Sequence, residues 1–252
     1  MTTLWSLAFN TFRETIRDRI LYVLVVFALL MMAASLLLGT LTIGQNDKIL
    51  LDLGLGSIEL FGVAIALFVG TSMIFKEIDK RTVYVVLTKP VPRPLFLLGK
   101  FLGLAMTLGV LLFFMGLVFC TLTWVKHIFT LQLVLALFML GLQLLLLVAL
   151  TVFFSTFASP IMSMIFTACL YFIGHNSESL LSLAKKASPL VHYGTEALYY
   201  LLPNLSTFDA KNTAVYGIAI PASHWYWAIG YAGFYIAALL SSATVLFERR
   251  EF

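Results

Sequence analysis

The stretch that decides the fold is residues 128–154, IFTLQLVLALFMLGLQLLLLVALTVFF. It contains no Asp, Glu, Lys, Arg or His. About 20 consecutive apolar residues in a helix cross a bilayer core of roughly 30 Å. Because this stretch is longer than that and uncharged, it predicts a transmembrane helix.

The composition of the whole chain agrees with a membrane location. Of its 252 residues, 61% are hydrophobic and 11% are charged, whereas soluble domains carry about 25% charged residues. The mean hydropathy is +1.00. The net charge of +4 fits basic residues on one side of a membrane better than nucleic-acid binding. Cys120 and Cys169 lie in apolar runs without metal-ligand spacing, which indicates packing residues.

Six apolar segments predict six spans. They are Ile20–Leu38, Ser57–Phe75, Phe101–Val125, Ile128–Phe154, Ile161–Gly174 and Trp225–Phe247. The fifth is short, so it either continues as a polar-interrupted helix or breaks before the outer surface. The first span follows a charged segment without a convincing cleavage site, which indicates a retained signal-anchor rather than a signal peptide.

Orientation follows from the basic residues. The N-terminal segment, the connection between spans two and three, and the C-terminus carry 11 of the 16 Lys and Arg residues. Basic residues concentrate in cytoplasmic connections. We therefore expect both termini to be cytoplasmic, in a multi-pass protein of the inner (plasma) membrane.

Three segments between or beside the spans have their own patterns. Residues 3–18 predict an amphipathic helix in the cytoplasmic interface, with aromatic residues on one face. Residues 76–100 form a charged cytoplasmic excursion that ends in Pro90, Pro92 and Pro94, which prevent a continuous helix into the third span. Residues 175–224 are too apolar for a solvated loop and predict helices that dip into the outer leaflet.

Motifs for chemistry are missing from the sequence. There is no Walker loop and no HExxH. His192 and Glu196 have the spacing of two metal ligands on one helix, but no third ligand is near in sequence. No serine motif indicates an intramembrane protease. We therefore expect a non-catalytic chain that binds no metal or cofactor.

Ionisable residues are expected to be absent from the centres of all six spans, with Glu59 near the outer end of the second. Carriers and channels usually need such residues in mid-membrane. This pattern favours a pore driven by another protein. Gly99 and Gly103 form a GxxxG string at the inner end of span three, and Gly230 and Gly233 form a glycine pair in span six; such strings are also frequent by chance.

Four segments resemble the ABC-2 permease family, the transmembrane subunits of type-2 ATP-binding-cassette exporters. Residues 12–19, FRETIRDR, look like the family's elbow helix. Residues 76–93, KEIDKRTVYVVLTKPVPR, are similar to the family pattern of an acidic residue, a threonine, a leucine and then proline-x-x-arginine. Residues 154–160 resemble the inner turn between spans four and five, and residues 202–209 the outer segment before the last span.

The resemblance implies an all-α membrane protein with six transmembrane helices, an N-terminal interfacial helix (1–19), a single six-span domain (20–252), a cytoplasmic coupling helix (76–94) and re-entrant outer helices (175–224). It implies that the coupling segment docks onto an ATPase subunit. The docking residues would be Glu77, Ile78, Asp79, Lys80, Arg81, Thr82 and Leu87. The elbow residues would be Phe12, Arg13, Glu14 and Arg17. If cargo follows a dimer interface, Phe61, Phe68, Phe166 and Phe172 are candidate lining residues.

The implied function is the permease subunit of an exporter, which forms half of the pathway with a second copy or paralogue. ATP and Mg would bind the partner ATPase subunits. Membrane lipids surround the chain, and an outer accessory protein is left open. The alternatives are an ATP-independent carrier or channel subunit and an integral membrane enzyme. The substrate, the direction and a role in assembly or processing do not follow from the sequence.

Overall fold

Every regular element in the described part of the chain is a helix. The structure, a computed structural model, describes residues 2–41, 46–79, 92–177, 182, 199, 202–218 and 221–248. The helices are α1 (Thr2–Ile16), α2 (Arg19–Leu41), α3 (Asn46–Asp79), α4 (Arg93–Val125), α5 (Leu131–Ser155), α6 (Pro160–His175), a 3₁₀ turn (Leu205–Phe208), α7 (Lys211–Tyr216) and α8 (Ala222–Glu248). The all-α prediction is therefore confirmed for these residues.

Four of the described helices are long and apolar enough to cross a membrane. The apolar segments are Asp47–Ser72, Pro94–Val125, Leu131–Ser155 and Ser223–Phe247. A fifth is obtained if α1 and α2, which meet at a bend of 63°, count as one broken span. The chain is thus a multi-pass membrane protein. Its six-span topology stays a prediction, because α6 has only 16 residues.

The most apolar helix lies at the centre of the bundle. α5 packs against α3, α4, α6 and α8, and residues such as Leu133, Met139 and Val152 have no exposed surface. In contrast, only 17% of the apolar segment of α8 is buried. Since lipid can cover exposed apolar side chains, a helix this open is compatible with a bilayer.

Two helices begin well before the predicted spans. α3 begins at Asn46 rather than Ser57, and α4 begins at Arg93 rather than Phe101. Pro94 lies in the first turn of α4, where its missing N–H has no helical partner to lose. The helix nonetheless begins directly after Pro92, its N-cap, and Pro90 lies outside the described residues, so the expectation that the three prolines prevent a continuous helix into the third span stays a prediction. The N-terminal end of α3 was missed because its polar residues resemble a loop.

The short sixth helix ends at His175, and both predicted continuations beyond it, a polar-interrupted helix toward Leu183 or a break, stay predictions. α6 begins after Ser159 with Pro160 in its first turn, and Asn176 is its C-cap. Ser177 and Ser182 are again helical, and the residues between them lie outside the described residues. The 3₁₀ turn packs against α5 and α6, while α7 packs against α3 and α5. The outer segment, by which we mean residues 202–218, therefore descends among the long helices.

A candidate polar site in the helix bundle

A buried carboxylate lies at the centre of α3. Glu59 is at the middle of the apolar segment Asp47–Ser72, about 18 Å along the helix from either end at 1.5 Å per residue, and it is only 4% exposed. Glu59 thus lies at mid-helix, because α3 begins at Asn46, well before the predicted span Ser57–Phe75. Its depth in the membrane, which the sequence places near the outer end of that span, stays a prediction.

Both carboxylate oxygens of Glu59 have partners from other helices. Gln143, at the middle of α5, donates from Nε2 to Oε1 at 3.1 Å. Tyr171 on α6 donates its hydroxyl to the same oxygen at 2.9 Å. Lys211 on α7 forms an ion pair with Oε2. A charge removed from water is tolerated only when it is paired and hydrogen-bonded, and this carboxylate is both.

The ion pair joins the outer segment to the bundle. Burial alone would lower the pKa of Lys211, but its hydrogen bond to Glu59, together with the charges of Glu59, Asp209 and Asp52, raises that pKa above its ordinary value. Lys211 therefore stays protonated around neutral pH, and its side chain is 24% exposed while that of Glu59 is 5% exposed. In this ion pair Glu59 is buried, whereas Lys211 is partly accessible to solvent.

A histidine lies beside the carboxylate without bonding to it. Nδ1 of His175, the last residue of α6, is 3.8 Å from Oε1 of Glu59. This nitrogen is buried and has no hydrogen-bond partner. Its ring stacks on Tyr171 with centroids 5.6 Å apart. A small movement of the His175 ring would bring a further donor to Glu59.

Asn204 anchors the start of the outer segment. Its backbone N–H donates to the Tyr231 hydroxyl on α8 at 2.7 Å. Its Oδ1 accepts from the Ser177 hydroxyl at 2.7 Å and from the Ser206 N–H at 3.0 Å. Below it, Leu205 and Phe208 are buried. The outer segment is therefore held at several points, among them Asn204 at its start and Lys211 farther along the chain. Further bonds join Gln132 to Gly217 and His224 to Thr207.

α1, the predicted elbow helix, is packed on α4 through two glycines of α4. A Cβ built on Gly99 would lie 2.8 Å from Cβ of Leu7, and one built on Gly103 would lie 2.6 Å from the backbone oxygen of Ala8. The GxxxG string therefore marks a close helix contact. Gly230 and Gly233, by contrast, have no such neighbour within 4 Å.

The aromatic face of the elbow helix points away from the protein. Trp5 and Phe9 are 61% and 48% exposed, whereas Ala8, Thr11 and Thr15 are buried. Arg13 lies 5.7 Å from the ring centroid of Phe9. An exposed aromatic face beside a cation fits an interfacial helix. Of the predicted elbow residues, Phe12 is partly buried, and Arg13, Glu14 and Arg17 are exposed.

The predicted coupling residues are only partly described. The backbone of Glu77, Ile78 and Asp79 forms the end of α3. Lys80, Arg81, Thr82 and Leu87 lie outside the described residues. The docking role of this set stays a prediction.

The candidate pathway residues lie on α3 and α6. Phe68, Phe166 and Phe172 are 43%, 42% and 65% exposed, while Phe61 is partly buried against the core. α3 and α6 pack against each other. The two helices that supply these rings are therefore the two that hold Glu59 and Tyr171.

Sequence reasoning missed the polar site almost entirely. Glu59, Gln143, Tyr171 and Lys211 come from four separate segments, so no spacing pattern joins them. The one available signal was a glutamate beside apolar residues, because a charge within a membrane helix needs a partner. The predicted span placed Glu59 near its outer end, where a carboxylate can reach water and needs no buried partner.

These features define a polytopic α-helical membrane protein with a charged pair inside its bundle. A family model described as "ABC-2 family transporter protein" matches residues 5–252. The chain therefore belongs to the ABC-2 transporter family, as its elbow and coupling sequences indicated. A search of curated proteins found no match.

Proposed function

We propose that this chain is the permease subunit of an ATP-binding-cassette exporter, in which it forms half of the translocation pathway and is driven by ATPase subunits on other chains. The observation that carries the proposal is the family match over residues 5–252. The sequence has no Walker loop, so ATP and Mg are assigned to the partner. A second copy or a paralogue completes the pathway in the inner (plasma) membrane.

The packing of the elbow helix supports mechanical coupling. α4 begins directly after the segment proposed to dock on the ATPase, and its second and third turns hold α1 through Gly99 and Gly103. A displacement of the coupling segment would therefore move α1 and α4 together. Charge complementarity at Glu77 and Asp79 would set the docking register.

Co-purification tests the proposal. The tagged chain is extracted from its native membranes in mild detergent, and the eluate is assayed for an ATP-hydrolysing subunit. We expect such a subunit to co-purify, and Glu77→Lys to reduce its yield, because reversing an interfacial charge weakens docking. Lys126→Glu, a charge reversal at the exposed outer end of α4, is the control. If no ATPase co-purifies, or if Glu77→Lys and its control give the same yield, the proposed coupling of this chain to an ATPase subunit is refuted.

An ATP-independent carrier is the second candidate, and Glu59 is the observation in its favour. Carriers that use ion gradients place carboxylates within the membrane. However, in the conformation of this structure Glu59 is paired with Lys211, so the pair is neutral as a whole and the carboxylate is not free to bind an ion. A carrier would work in proteoliposomes that lack any ATPase, and an exporter subunit would not.

A further inference from the structure

Lys211 and Glu59 are bonded asymmetrically. Oε1 of Glu59 accepts from Gln143 and Tyr171, and Oε2 faces Lys211. If Lys211 left, the carboxylate would keep two donors from α5 and α6. A lone buried charge is strongly unfavourable. The hydrogen bonds from Gln143 and Tyr171 would reduce the free-energy cost of leaving the Glu59 carboxylate without its counter-charge. Glu59 is therefore bonded so that Lys211 can leave.

Lys211 is also the member that can move. It belongs to α7, which has six residues and ends at Gly217 with a left-handed backbone, φ 68°. Gln143 and Glu59 lie at the middle of long buried helices. The Lys211 side chain is partly exposed, so a small displacement of α7 returns its ammonium group to water. His175, with its unbonded Nδ1 near the carboxylate, is placed to donate in its stead.

We propose that Lys211 and Glu59 form a releasable latch that holds the outer segment inside the bundle, beside the proposed pathway. The pathway itself rests on the proposed function. Because Glu59 and Tyr171 lie on α3 and α6, which also carry Phe68 and Phe166, a movement of these helices would strain the ion pair directly. Release of Lys211 removes the buried ion pair of α7. Asn204 stays attached to Tyr231, and Gln132 still donates to the backbone oxygen of Gly217 at the other end of α7, so the segment loosens without leaving the bundle.

The latch is tested by the accessibility of a buried reporter on α7. Ala214 lies one turn from Lys211 and is 3% exposed. Cysteine is introduced as Ala214→Cys after Cys120 and Cys169 are replaced by alanine, and native membranes without added nucleotide are treated with a membrane-impermeant maleimide. We expect Lys211→Met to raise the labelling rate by about fivefold or more, because labelling follows local opening.

Matched variants separate the charge pair from general loosening. Glu59→Gln, which keeps the shape but not the charge, should raise the rate as Lys211→Met does. Lys211→Arg keeps the positive charge and should label slowly. Lys126→Met removes an exposed outer lysine and should also label slowly. A rate unchanged by both neutral variants, or raised equally by Lys126→Met, overturns the latch.

A double variant keeps the test valid if either single variant fails to fold. Glu59→Gln combined with Lys211→Met leaves no lone buried charge, and such neutral replacements of an ion pair are often tolerated. Fast labelling of the double variant supports the latch, and slow labelling overturns it. The assay needs no ATPase, so its failure leaves the co-purification test intact, and a missing ATPase subunit would refute only the proposed function.

Discussion

Gly103 on α4 lies directly against Thr11 on α1, and a Cβ built on the glycine would come 2.4 Å from the Cβ of Thr11. The backbone oxygen of Ala8 would be 2.6 Å away, and a backbone atom cannot rotate aside as a side chain does. The contact therefore depends on the absence of a side chain at residue 103. It fixes α1, the predicted interfacial helix, to α4, which follows the proposed coupling segment.

Gly103→Ala should destabilise the protein by about 1–3 kcal/mol, the usual range for overpacking. Gly109→Ala is the matched control, since it lies on the same helix and a Cβ there meets no heavy atom within 4 Å. Both changes raise helix propensity equally, so the difference between them isolates the contact with α1. The measurement is the loss of monodisperse protein on heating in detergent. Equal melting temperatures would show that α1 is not held at this point.

A second glycine faces an aromatic ring between α3 and α4. A Cβ on Gly54 would lie 2.1 Å from Cε2 of Phe119, a ring that has no exposed surface. We expect Gly54→Ala to lower the melting temperature clearly, whereas Gly56→Ala, with nothing within 4 Å, should not. Phe119→Leu removes Cε2 and Cζ and should restore part of the loss in the Gly54→Ala background. Absence of that rescue would contradict the contact.

The long helices could be predicted from the sequence because apolar length alone reports a span. The N-terminal end of α3 could not. Asn46, Asp47, Lys48 and Asp52 are what a loop would contain, yet they continue the helix beyond its apolar core. Hydropathy indicates which residues can face lipid. It does not indicate where the helix, with its backbone hydrogen bonds, begins or ends. That error at one helix end displaced Glu59 from the middle of its helix to the edge.

Contacts between elements were harder to predict than the elements. Gly99 and Gly103 signal a close approach, but the pattern does not say which helix approaches, and that helix is α1. Glu59 can pair with Lys211 only because the outer segment lies deep among the helices. The packing of Leu205 and Phe208 sets that position, and no local sequence pattern reports it. The semi-buried character of this segment was nevertheless visible in its apolar composition.

Tyr231→Phe should loosen the upper attachment of the outer segment. The Tyr231 hydroxyl accepts the backbone N–H of Asn204 at 2.7 Å, and its removal leaves that N–H without this partner, at a cost of about 1–3 kcal/mol. Tyr226→Phe, on the same helix but 77% exposed, is the control. The readout is thermal stability together with maleimide labelling of Ala214→Cys. If the two tyrosine variants behave alike, the bond to Asn204 contributes little.

The predicted orientation is tested by cysteines at two exposed turns. Lys126 follows α4 and Ser159 precedes α6, and both are exposed. With cytoplasmic termini and six spans, these turns lie on opposite sides of the membrane. In a background without Cys120 and Cys169, Lys126→Cys should react with an impermeant maleimide added to intact cells, and Ser159→Cys only after permeabilisation. The reverse result would invert the orientation, and labelling of both in intact cells would refute a membrane crossing by α5.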